Sequence, residues 1–563
     1  MLLLLLCFLL LSIVFWGWGI IFLHAAAGKA EHKLADVVMA GLAFSGLLAG
    51  LWYCFLPADN IFALGICFTG FTALVMYRNV LMLQLTATNR KTWIVSFLVF
   101  LFLAFKAVVP NDFYDNGLYY IQTLKWVGSH AVVPGLANLH FRLGTISLWH
   151  ILMAPFYQGI FGGFDDLGEF LFIWFFIGQF EIILKNQGFD GFLSFFILMF
   201  VLVFASHFFG TGSPDLACGI FGIYCLSLLK NILNYRSSPL EKSSSPDWIY
   251  VLISAFFLTG VKLSGIPFIL APLICFLAIE KQMRFRFFIV MFLLGCLSFG
   301  PLVYRSWVLS GYLLFPVFKG PLCPDWQVPA RVVQEYVLLI KGFARHILSS
   351  EEILKGNQYT DIGKLSFDTW FPMWLEDRTI WDMLVLFPVL AGWITLIWST
   401  HKKIRQSFSV HWPKIPFTWM CSFLLVFWFF NAPDIRFAMG IFGFLFACFF
   451  AVVFIRIKEK TGFSLVRYGF HAGLVSSILC IFLFRNRAMP EHYLLQQGNI
   501  QNGHFYQRKT GEGRYLYFAR NDEYGTEVVS DQCWDAPLPC APKWEKGLRF
   551  RGARLQDGFR MEK

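Results

Sequence analysis

Long runs of apolar residues recur along this chain, and they restrict the fold more than any other feature. A helix needs about 20 mainly apolar residues to cross a bilayer. Only 14% of the 563 residues are charged and 57% are hydrophobic, whereas soluble domains carry roughly 25% charged residues. We therefore predict an all-α polytopic membrane protein with about 14 transmembrane helices. The runs that predict them are 1–23, 37–56, 61–77, 93–109, 167–184, 192–209, 216–229, 248–261, 266–279, 287–303, 380–398, 417–430, 437–455 and 468–484.

Short loops rich in Lys and Arg alternate along the chain with short loops that carry few. Because basic residues concentrate in cytoplasmic loops, we expect the basic loops inside and the others outside. The alternation holds along the whole chain if the piece 146–161, which contains Pro155, is a re-entrant or interfacial helix on the outer side. Both termini then lie outside the cytoplasm. The basic loops also explain the net charge of +11, so no nucleic-acid partner is expected.

The first apolar run ends in HAAAGKA, which could pass for a signal-peptide cleavage site. No basic residue precedes the run, so we expect an uncleaved first helix. Two long segments, 110–166 and 305–379, and a polar tail are expected outside, with the tail forming a small extracytoplasmic cap. Cys533 and Cys540 in this tail would face an oxidising compartment and could close a short disulfide loop, or remain two free thiols. The predicted divisions are 1–92 (N-terminal transmembrane helices), 93–484 (transmembrane core with both outer segments) and 485–563 (tail).

Charged residues gather at the predicted outer ends of the apolar runs. Ionisable groups at the edge of a membrane protein are costly and mark functional sites. A proton-coupled transporter would hold its acids near mid-membrane, so this position favours chemistry at the outer face. The alternative, which requires no functional site, is that the basic residues reach toward lipid phosphates. The charged residues in question are Asp112, Asp115, Asp215, Lys262, Arg305, Asp434 and Arg436.

The segment NDFYDNGLYYIQ, residues 111–122, places acids and tyrosines directly after an apolar run. A carboxylate at this boundary can serve as a general base if a hydroxyl comes within hydrogen-bond reach. Asp115 also suits the N-cap of a short helix in the same loop, and the two roles are compatible. His140 and Arg142 add a second polar pair to the loop.

These motifs resemble the GT-C superfamily of polyprenyl-phosphate-sugar-dependent glycosyltransferases. In many members an essential acid in the first large outer loop precedes a Tyr-His pair; here YDNGLYYIQ supplies Asp115 and Tyr119, with Tyr120 where His is common. SPDLA, LTGVKLSG and YRSWVLSGYLLFP, which contain Asp215, Lys262 and Arg305, are also similar to that superfamily. APDIRF and CWDAPLPC resemble a poorly characterised group of bacterial membrane proteins usually placed near these enzymes. The likeness is spread over residues 93–440 and the tail.

The resemblance implies a GT-C-like fold and an inverting transfer of a sugar from a polyprenyl-phosphate donor at the outer face of a bacterial cytoplasmic membrane. The acceptor hydroxyl would belong to a glycan, a lipid or a protein. The implied catalytic residues are Asp115, the base, and Asp112. The implied substrate-binding residues are Tyr119, Tyr120, His140, Arg142, Asp215, Lys262, Arg305, Asp434 and Arg436.

A divalent cation, Mg or Mn, is the one cofactor that oxygen ligands of this kind would suit. The sequence shows no tight ligand cluster, so no metal ligand is assigned. Two other functions stay open: a flippase, polymerase or transporter of lipid-linked oligosaccharide, and a non-enzymatic assembly protein of the membrane.

Overall fold

A computed structural model gives the structure of the protein. It describes residues 2–28, 31–108, 113–160, 166–186, 188–235, 247–317, 323–349, 357–399, 415–461, 504–509, 515–520, 532–542 and 547–562, and the single residues 162, 164, 320 and 352. Asp112 and the predicted run 468–484 lie outside the described residues.

The first half of the chain folds almost entirely into helices, and each predicted apolar run within it coincides with one. The helices are α1 (Leu2–Ala27), α2 (Leu34–Tyr53), α3 (Asn60–Ala87), α4 (Arg90–Val108), α5 (Ile121–Ser129), α6 (Leu136–Leu139), α7 (Leu148–Pro155), α8 (Leu167–Lys185), α9 (Phe189–Phe204), α10 (Pro214–Tyr235) and α11 (Asp247–Val261).

The second half continues the helical core as far as residue 461. Its helices are α12 (Leu270–Ala278), α13 (Arg284–Ser310), α14 (Ala330–Arg345), α15 (Tyr359–Lys364), α16 (Phe367–Glu376), α17 (Ile380–Trp398), α18 (Ile415–Asn431) and α19 (Met439–Thr461).

Within the described ranges, eight helices are long and apolar enough to cross a membrane. Four further apolar helices are 10–17 residues long. The protein is therefore a helical membrane protein. The eight longer spans are Leu2–Ala27, Leu34–Tyr53, Asn60–Ala87, Leu167–Lys185, Pro214–Leu233, Lys281–Ser310, Ile380–Trp398 and Ile435–Glu459.

The outer helices of the bundle expose large apolar side chains. Phe68, Phe285, Ile380 and Trp419, from four different helices, each leave between 71% and 76% of their surface uncovered. Such a surface is unfavourable in water and is stable against lipid tails. By contrast, every residue of α11 from Trp248 to Val261 is buried, which places that helix in the centre of the bundle.

Two predicted pieces differ from regular spans. The run 266–279 begins as a 3₁₀ helix, Leu263–Ile269, and becomes α-helical only in the nine residues of α12. Pro267 lies within the 3₁₀ part, and its ring and missing N–H disfavour an α-helical interior. The predicted re-entrant piece contains α7, which has eight residues and is buried on all sides, so it is too short to cross a bilayer.

Packing between α10 and α19 positions two charged residues of the site. Gly222 and Gly440 face each other so closely that a Cβ on Gly222 would lie 2.9 Å from the Cα of Gly440. Small residues of this kind let helix backbones approach within a membrane. Asp215 lies in the first turn of α10 and Arg436 precedes α19, so this contact brings the two helix starts together.

The tail adds short strands to the helical fold. β1 (His504–Lys509) pairs antiparallel with β2 (Tyr515–Arg520), and β2 pairs parallel with β3 (Cys540–Ala541). β4 (Leu548–Phe550) pairs antiparallel with β5 (Phe559–Met561). The prediction of an all-α fold holds for the described membrane core, and the described strands all lie in the tail. A disulfide joins Cys533 to Cys540, whose Cα atoms are 6.0 Å apart.

Candidate functional site

A cavity of about 350 Å³ collects most of the predicted site residues. Its size lies within the usual range for small-molecule sites. The predicted residues on its wall are Asp115, Tyr119, Tyr120, Arg142, Asp215, Lys262, Arg305 and Arg436. His140 and Asp434 are not part of the lining: His140 packs its ring against Phe141, and Asp434 contacts Arg436 from behind.

The charged side chains reach the cavity from the ends of several helices. Asp215 is the second residue of α10, and Lys262 directly follows α11. Arg305 lies in the second-last turn of α13, and Arg436 belongs to the short 3₁₀ turn Ile435–Ala438 before α19. Because all four line one cavity, the start of α10, the end of α11, the end of α13 and the start of α19 lie on the same side of the bundle.

Asp115 directly precedes a single π-helical turn, Asn116–Tyr120, a rare element that often occurs at functional sites. Its carboxylate lies between two guanidinium groups: Oδ1 is 3.5 Å from Nη1 of Arg142, and Oδ2 is 3.6 Å from Nη1 of Arg436. Both separations exceed hydrogen-bond distances. The pairing is therefore electrostatic, and both oxygens retain the capacity to accept a hydrogen bond from a ligand.

Asp215 and Lys262 form a buried ion pair in the same wall. The Lys262 ammonium donates to Oδ1 of Asp215, and the Ser213 hydroxyl donates to Oδ2 at 3.1 Å. The Lys262 ammonium also lies 4.4 Å from the centre of the Phe437 ring. Removing one member of such a pair leaves the other charge buried and unpaired, which costs about 3–5 kcal/mol. The pair therefore links the start of α10 to the end of α11.

Arg436 is held on several sides. Its guanidinium stacks 5.0 Å from the ring centre of Phe343 and 4.8 Å from that of Phe437. Asp434 supports it from outside the cavity, with Oδ2 at 3.4 Å from the guanidinium Nε and Oδ1 accepting the backbone N–H of Arg436 at 2.9 Å. Arg436 thus presents its remaining nitrogens to Asp115 in a fixed orientation.

Arg305 differs from Arg142, Lys262 and Arg436 because no described carboxylate compensates its charge. Only 2% of its surface is exposed, and Nη1 donates to the carbonyl oxygen of Gly50 at 3.2 Å. Its Nε and Nη2 have no hydrogen-bond partner, and no described Asp or Glu oxygen lies within 4.0 Å of the group. A buried unpaired charge is strongly unfavourable, so an anion in the cavity would stabilise this side chain.

Two tyrosines and a histidine complete the polar wall. Burial raises the pKa of Tyr119 and of Tyr120 above the ordinary value, so both phenols are neutral hydrogen-bond donors at physiological pH. Burial also lowers the pKa of His150 to about 4, so this imidazole is neutral as well. His150 Nε2 lies 3.0 Å from the carbonyl oxygen of Gly212, and its ring centre is 4.8 Å from that of Tyr120.

His150 was not among the predicted site residues. The sequence signal for it was present, since an ionisable residue within the apolar piece 146–161 is a candidate for function. Tyr336 of α14 also lines the cavity and was missed. Nothing in the local pattern of an amphipathic helix distinguishes that tyrosine from its neighbours.

The donor set does not fit a divalent cation. Mg or Mn would need several oxygen ligands free of other charges, but Asp115 faces Arg142 and Arg436, and Asp215 is paired with Lys262. Among the described residues, no group of three or more His, Cys, Asp or Glu side chains is arranged to hold a metal. The polar wall suits an anionic ligand and a hydroxyl better than a metal ion.

Comparison with known proteins assigns the chain to a family but does not assign an activity. No curated protein and no solved structure matches the chain. A family model described as "Domain of unknown function (DUF8201)" matches residues 1–443, which include every charged residue of the cavity wall named above but not the tail. Because the match covers most of the sequence, the chain belongs to this family, DUF8201.

Proposed function

We propose that the protein is a GT-C-type membrane glycosyltransferase that moves a sugar from a polyprenyl-phosphate donor to an acceptor hydroxyl. One observation carries the proposal. Asp115, whose carboxylate oxygens are not hydrogen-bonded by Arg142 or Arg436, shares a cavity with Arg305, a buried guanidinium with two unpartnered nitrogens. A base for the acceptor and a cation for the donor phosphate are the two groups that this reaction requires.

In the proposed reaction the acceptor hydroxyl donates its proton to Asp115. The acceptor oxygen attacks the anomeric carbon from the face opposite the phosphate, and the new C–O bond inverts that carbon. The bond between the anomeric carbon and the phosphate oxygen breaks, and its electron pair leaves with the polyprenyl phosphate. The leaving phosphate gains negative charge, so a nearby guanidinium stabilises the transition state more than the ground state.

Among the three cations named as candidates, Arg305 suits the phosphate best. Lys262 is paired with Asp215, and Arg436 is shared between Asp115 and Asp434. Arg305 has no carboxylate partner among the described residues, and its planar group can bind two phosphate oxygens at once. Lys262 and Arg436 then serve to orient the carboxylates beside the reacting atoms.

Apolar side chains from two helices form part of the cavity wall. They are Leu339 and Ile340 of α14 and Leu424 and Phe427 of α18. The outer face of α18 exposes large apolar side chains, Phe430 among them, so this wall borders the bilayer. We propose that the polyprenyl chain of the donor leaves the cavity past α18.

We also propose the finer topology that the loop charges predict. It has about 14 spans, both termini outside and the cavity opening at the outer face of a bacterial cytoplasmic membrane. The support is the distribution of basic loops and the position of the charged cavity wall at one end of the bundle.

The test replaces the proposed base. Membranes that contain Asp115→Asn are incubated with polyprenyl phosphate carrying a radiolabelled sugar, and both the labelled product and the released polyprenyl phosphate are measured. We expect product formation to fall by about 10²–10⁴-fold. The matched control is Asp361→Asn, which alters an exposed carboxylate in the pair with Lys364. Normal product from a normally expressed Asp115→Asn protein would remove the enzyme proposal and favour a flippase or an assembly protein.

A further inference from the structure

The C-terminal tail contacts the chain segment that carries Asp115. The contacts come from the loop 532–542, which the disulfide between Cys533 and Cys540 closes. Gln532 donates to the carbonyl oxygen of Tyr114 at 3.0 Å, and the backbone N–H of Trp534 donates to that of Gly117 at 2.9 Å. These two contacts lie on either side of Asp115 in the sequence.

The same loop also holds the helix that follows. Gln122 of α5 donates to the carbonyl oxygens of Trp534 and Ala536, each at 2.9 Å. Lys125, one turn later, pairs with the Asp535 carboxylate at 2.9 Å. The tail loop therefore binds the segment 114–125 at four positions along its length.

Trp534 also packs its side chain against this segment. Its indole occupies the space beside Gly117, where a Cβ would lie 2.7 Å from Nε1, so only glycine fits at position 117. Trp534 is 7% exposed, and its backbone lies in the left-handed region with φ 42°. A tryptophan in that rarely populated conformation needs surrounding contacts to hold it, and the disulfide loop supplies them.

The segment needs such support. A π-helical turn is rare and short, and α5 has nine residues, fewer than an isolated helix needs to be stable in water. Asp115 itself has no side-chain hydrogen bond to the turn that follows it. The backbone on which the carboxylate depends is thus held largely from outside, and the tail is a major part of that support.

We propose that Trp534 is a positioning residue: with its disulfide-closed loop it fixes the π-helical turn and thereby holds the Asp115 carboxylate between Arg142 and Arg436. The inference rests on the proposed function for its catalytic consequence. It extends the functional unit beyond residues 1–443, which the family model matches, to a tail whose described residues do not line the cavity.

The kinetic test uses full-length protein with Trp534→Ala, Trp534→Phe and the double variant Cys533→Ser/Cys540→Ser. A misplaced base slows the chemical step without weakening donor binding. For Trp534→Ala and the cysteine variant we expect kcat to fall at least 10-fold, with the donor KM changed less than 2-fold. Trp534→Phe keeps a flat ring over Gly117 and should recover most of the lost kcat.

A matched control breaks another contact of the tail. Arg551 pairs with Asp325 at 3.0 Å, away from the segment 114–125, so Arg551→Ala should leave kcat within 2-fold of the wild type. A fall in kcat for Trp534→Ala no larger than that for Arg551→Ala would overturn the proposal. A rise in donor KM with unchanged kcat would overturn it as well, because it would make the tail part of donor binding.

A second measurement tests the contact between Trp534 and the segment 114–125 without an assay of activity. Hydrogen exchange of the amides 114–125 should quicken at least 10-fold in Trp534→Ala and in the cysteine variant, while exchange in α14 stays unchanged. Unchanged exchange in 114–125 would refute the positioning role. Failure of the glycosyltransferase proposal would appear separately, as normal product from Asp115→Asn, so the two failures are distinguishable.

Discussion

The guanidinium of Arg436 lies 3.6 Å from the carboxylate of Asp115 and 3.4 Å from that of Asp434. It connects the start of α19 to the loop before α5, two parts of the chain that are distant in sequence. Its plane also stacks against Phe343 and Phe437. The charge and the planar shape of the guanidinium are both used at this position.

Arg436→Lys is therefore expected to be damaging although it keeps the charge. A lysine ammonium cannot stack on two rings and contact two carboxylates at once. We expect product formation to fall about 10–100-fold, because a lysine would no longer hold the Asp115 carboxylate in position. The measurement is kcat/KM for the labelled donor in membranes.

The control for Arg436→Lys lies on the same helix. Arg456 is paired with Glu459 at 3.3 Å near the other end of α19, and exposed pairs contribute only about 0–1 kcal/mol. Arg456→Lys should leave activity and expression unchanged. Equal activity of the two lysine variants would show that the planar guanidinium of Arg436 has no role in the proposed reaction.

Arg305→Met separates function from stability. The arginine is buried without a carboxylate partner in the described structure, and replacing a buried charge by an apolar side chain of similar volume is neutral or stabilising by about 1–4 kcal/mol. If Arg305 binds the donor phosphate and stabilises it as it leaves, kcat/KM for the donor should fall about 10–100-fold. Thermal unfolding in detergent should meanwhile show an unchanged or higher midpoint.

The thermal midpoint and the donor kinetics of Arg305→Met together distinguish a role in phosphate binding from a role in packing. A lower midpoint together with a weak loss of activity would mean that Arg305 serves the packing around Gly50, to which it donates. A higher midpoint together with an unchanged kcat/KM for the donor would mean that the phosphate binds elsewhere in the cavity.

Much of the membrane core could be predicted because lipid imposes simple rules on sequence. A spanning helix needs a long apolar run, and each run up to residue 455 coincides with a helix. The charged residues at the ends of those runs were also visible, and Asp115, Asp215, Lys262, Arg305 and Arg436 line one cavity. Their charges mark them in the sequence because a charge at a membrane edge is costly.

The sequence could not predict which charged side chains of the site pair with each other. Five cationic side chains line the cavity, yet only the structure shows that Arg305 lacks a carboxylate partner while Lys262 has one. Asp434 was predicted to bind substrate, but it supports Arg436 from behind. The contact of Trp534 with Gly117 joins the tail to the first outer loop, and no local pattern predicts a contact over such a separation.

Packing between α10 and α19 provides a test of how the fold sets the site. Gly222→Ala would place a Cβ 2.9 Å from the Cα of Gly440 and 3.0 Å from the Phe268 ring. We expect a loss of about 1–3 kcal/mol in the free energy of unfolding and a larger loss of activity, because Asp215 and Arg436 would move apart. Chemical unfolding in detergent and the transfer assay measure the two effects.

Gly65→Ala is the matched control for this substitution. Gly65 lies on an exposed face of α3, and a Cβ there meets no atom within 4 Å. An alanine in a helix interior is favoured over glycine by about 0.5–1 kcal/mol, so stability should be unchanged or slightly higher. Equal effects of the two alanines would show that the approach of α10 to α19 is unimportant.

His346 links the end of α14 to the segment before α17 and predicts a dependence on pH. Its Nδ1 lies 2.6 Å from Asp377, and its Nε2 lies 3.0 Å from Glu352. Burial lowers the pKa of His346, but the hydrogen bond with Glu352 and the attraction of Asp377 raise it more, so that the pKa lies above its ordinary value of 6.5. The charged imidazolium therefore stabilises the folded state.

This stabilisation is fully present below pH 6.5 and is lost as the pH rises through the raised pKa of the folded protein. The thermal midpoint of the wild type should thus fall between pH 6 and pH 9 relative to that of His346→Gln, which has no proton to lose there. Thermal unfolding in detergent across that range measures the difference. Parallel curves for the two proteins would contradict the prediction.

Chemical labelling can measure the orientation of the bundle in the membrane, because exposed positions lie at both ends of the bundle. Cys323 is exposed in the predicted outer segment, and Lys185 is 63% exposed at the end of α8, where a basic loop predicts the cytoplasm. With Cys296 replaced by serine, Cys323 should react with a membrane-impermeant maleimide in intact cells. In the variant Lys185→Cys with Cys323→Ser, reaction should require permeabilised cells. The reverse pattern would turn the cavity toward the cytoplasm and exclude a donor that is used at the outer face.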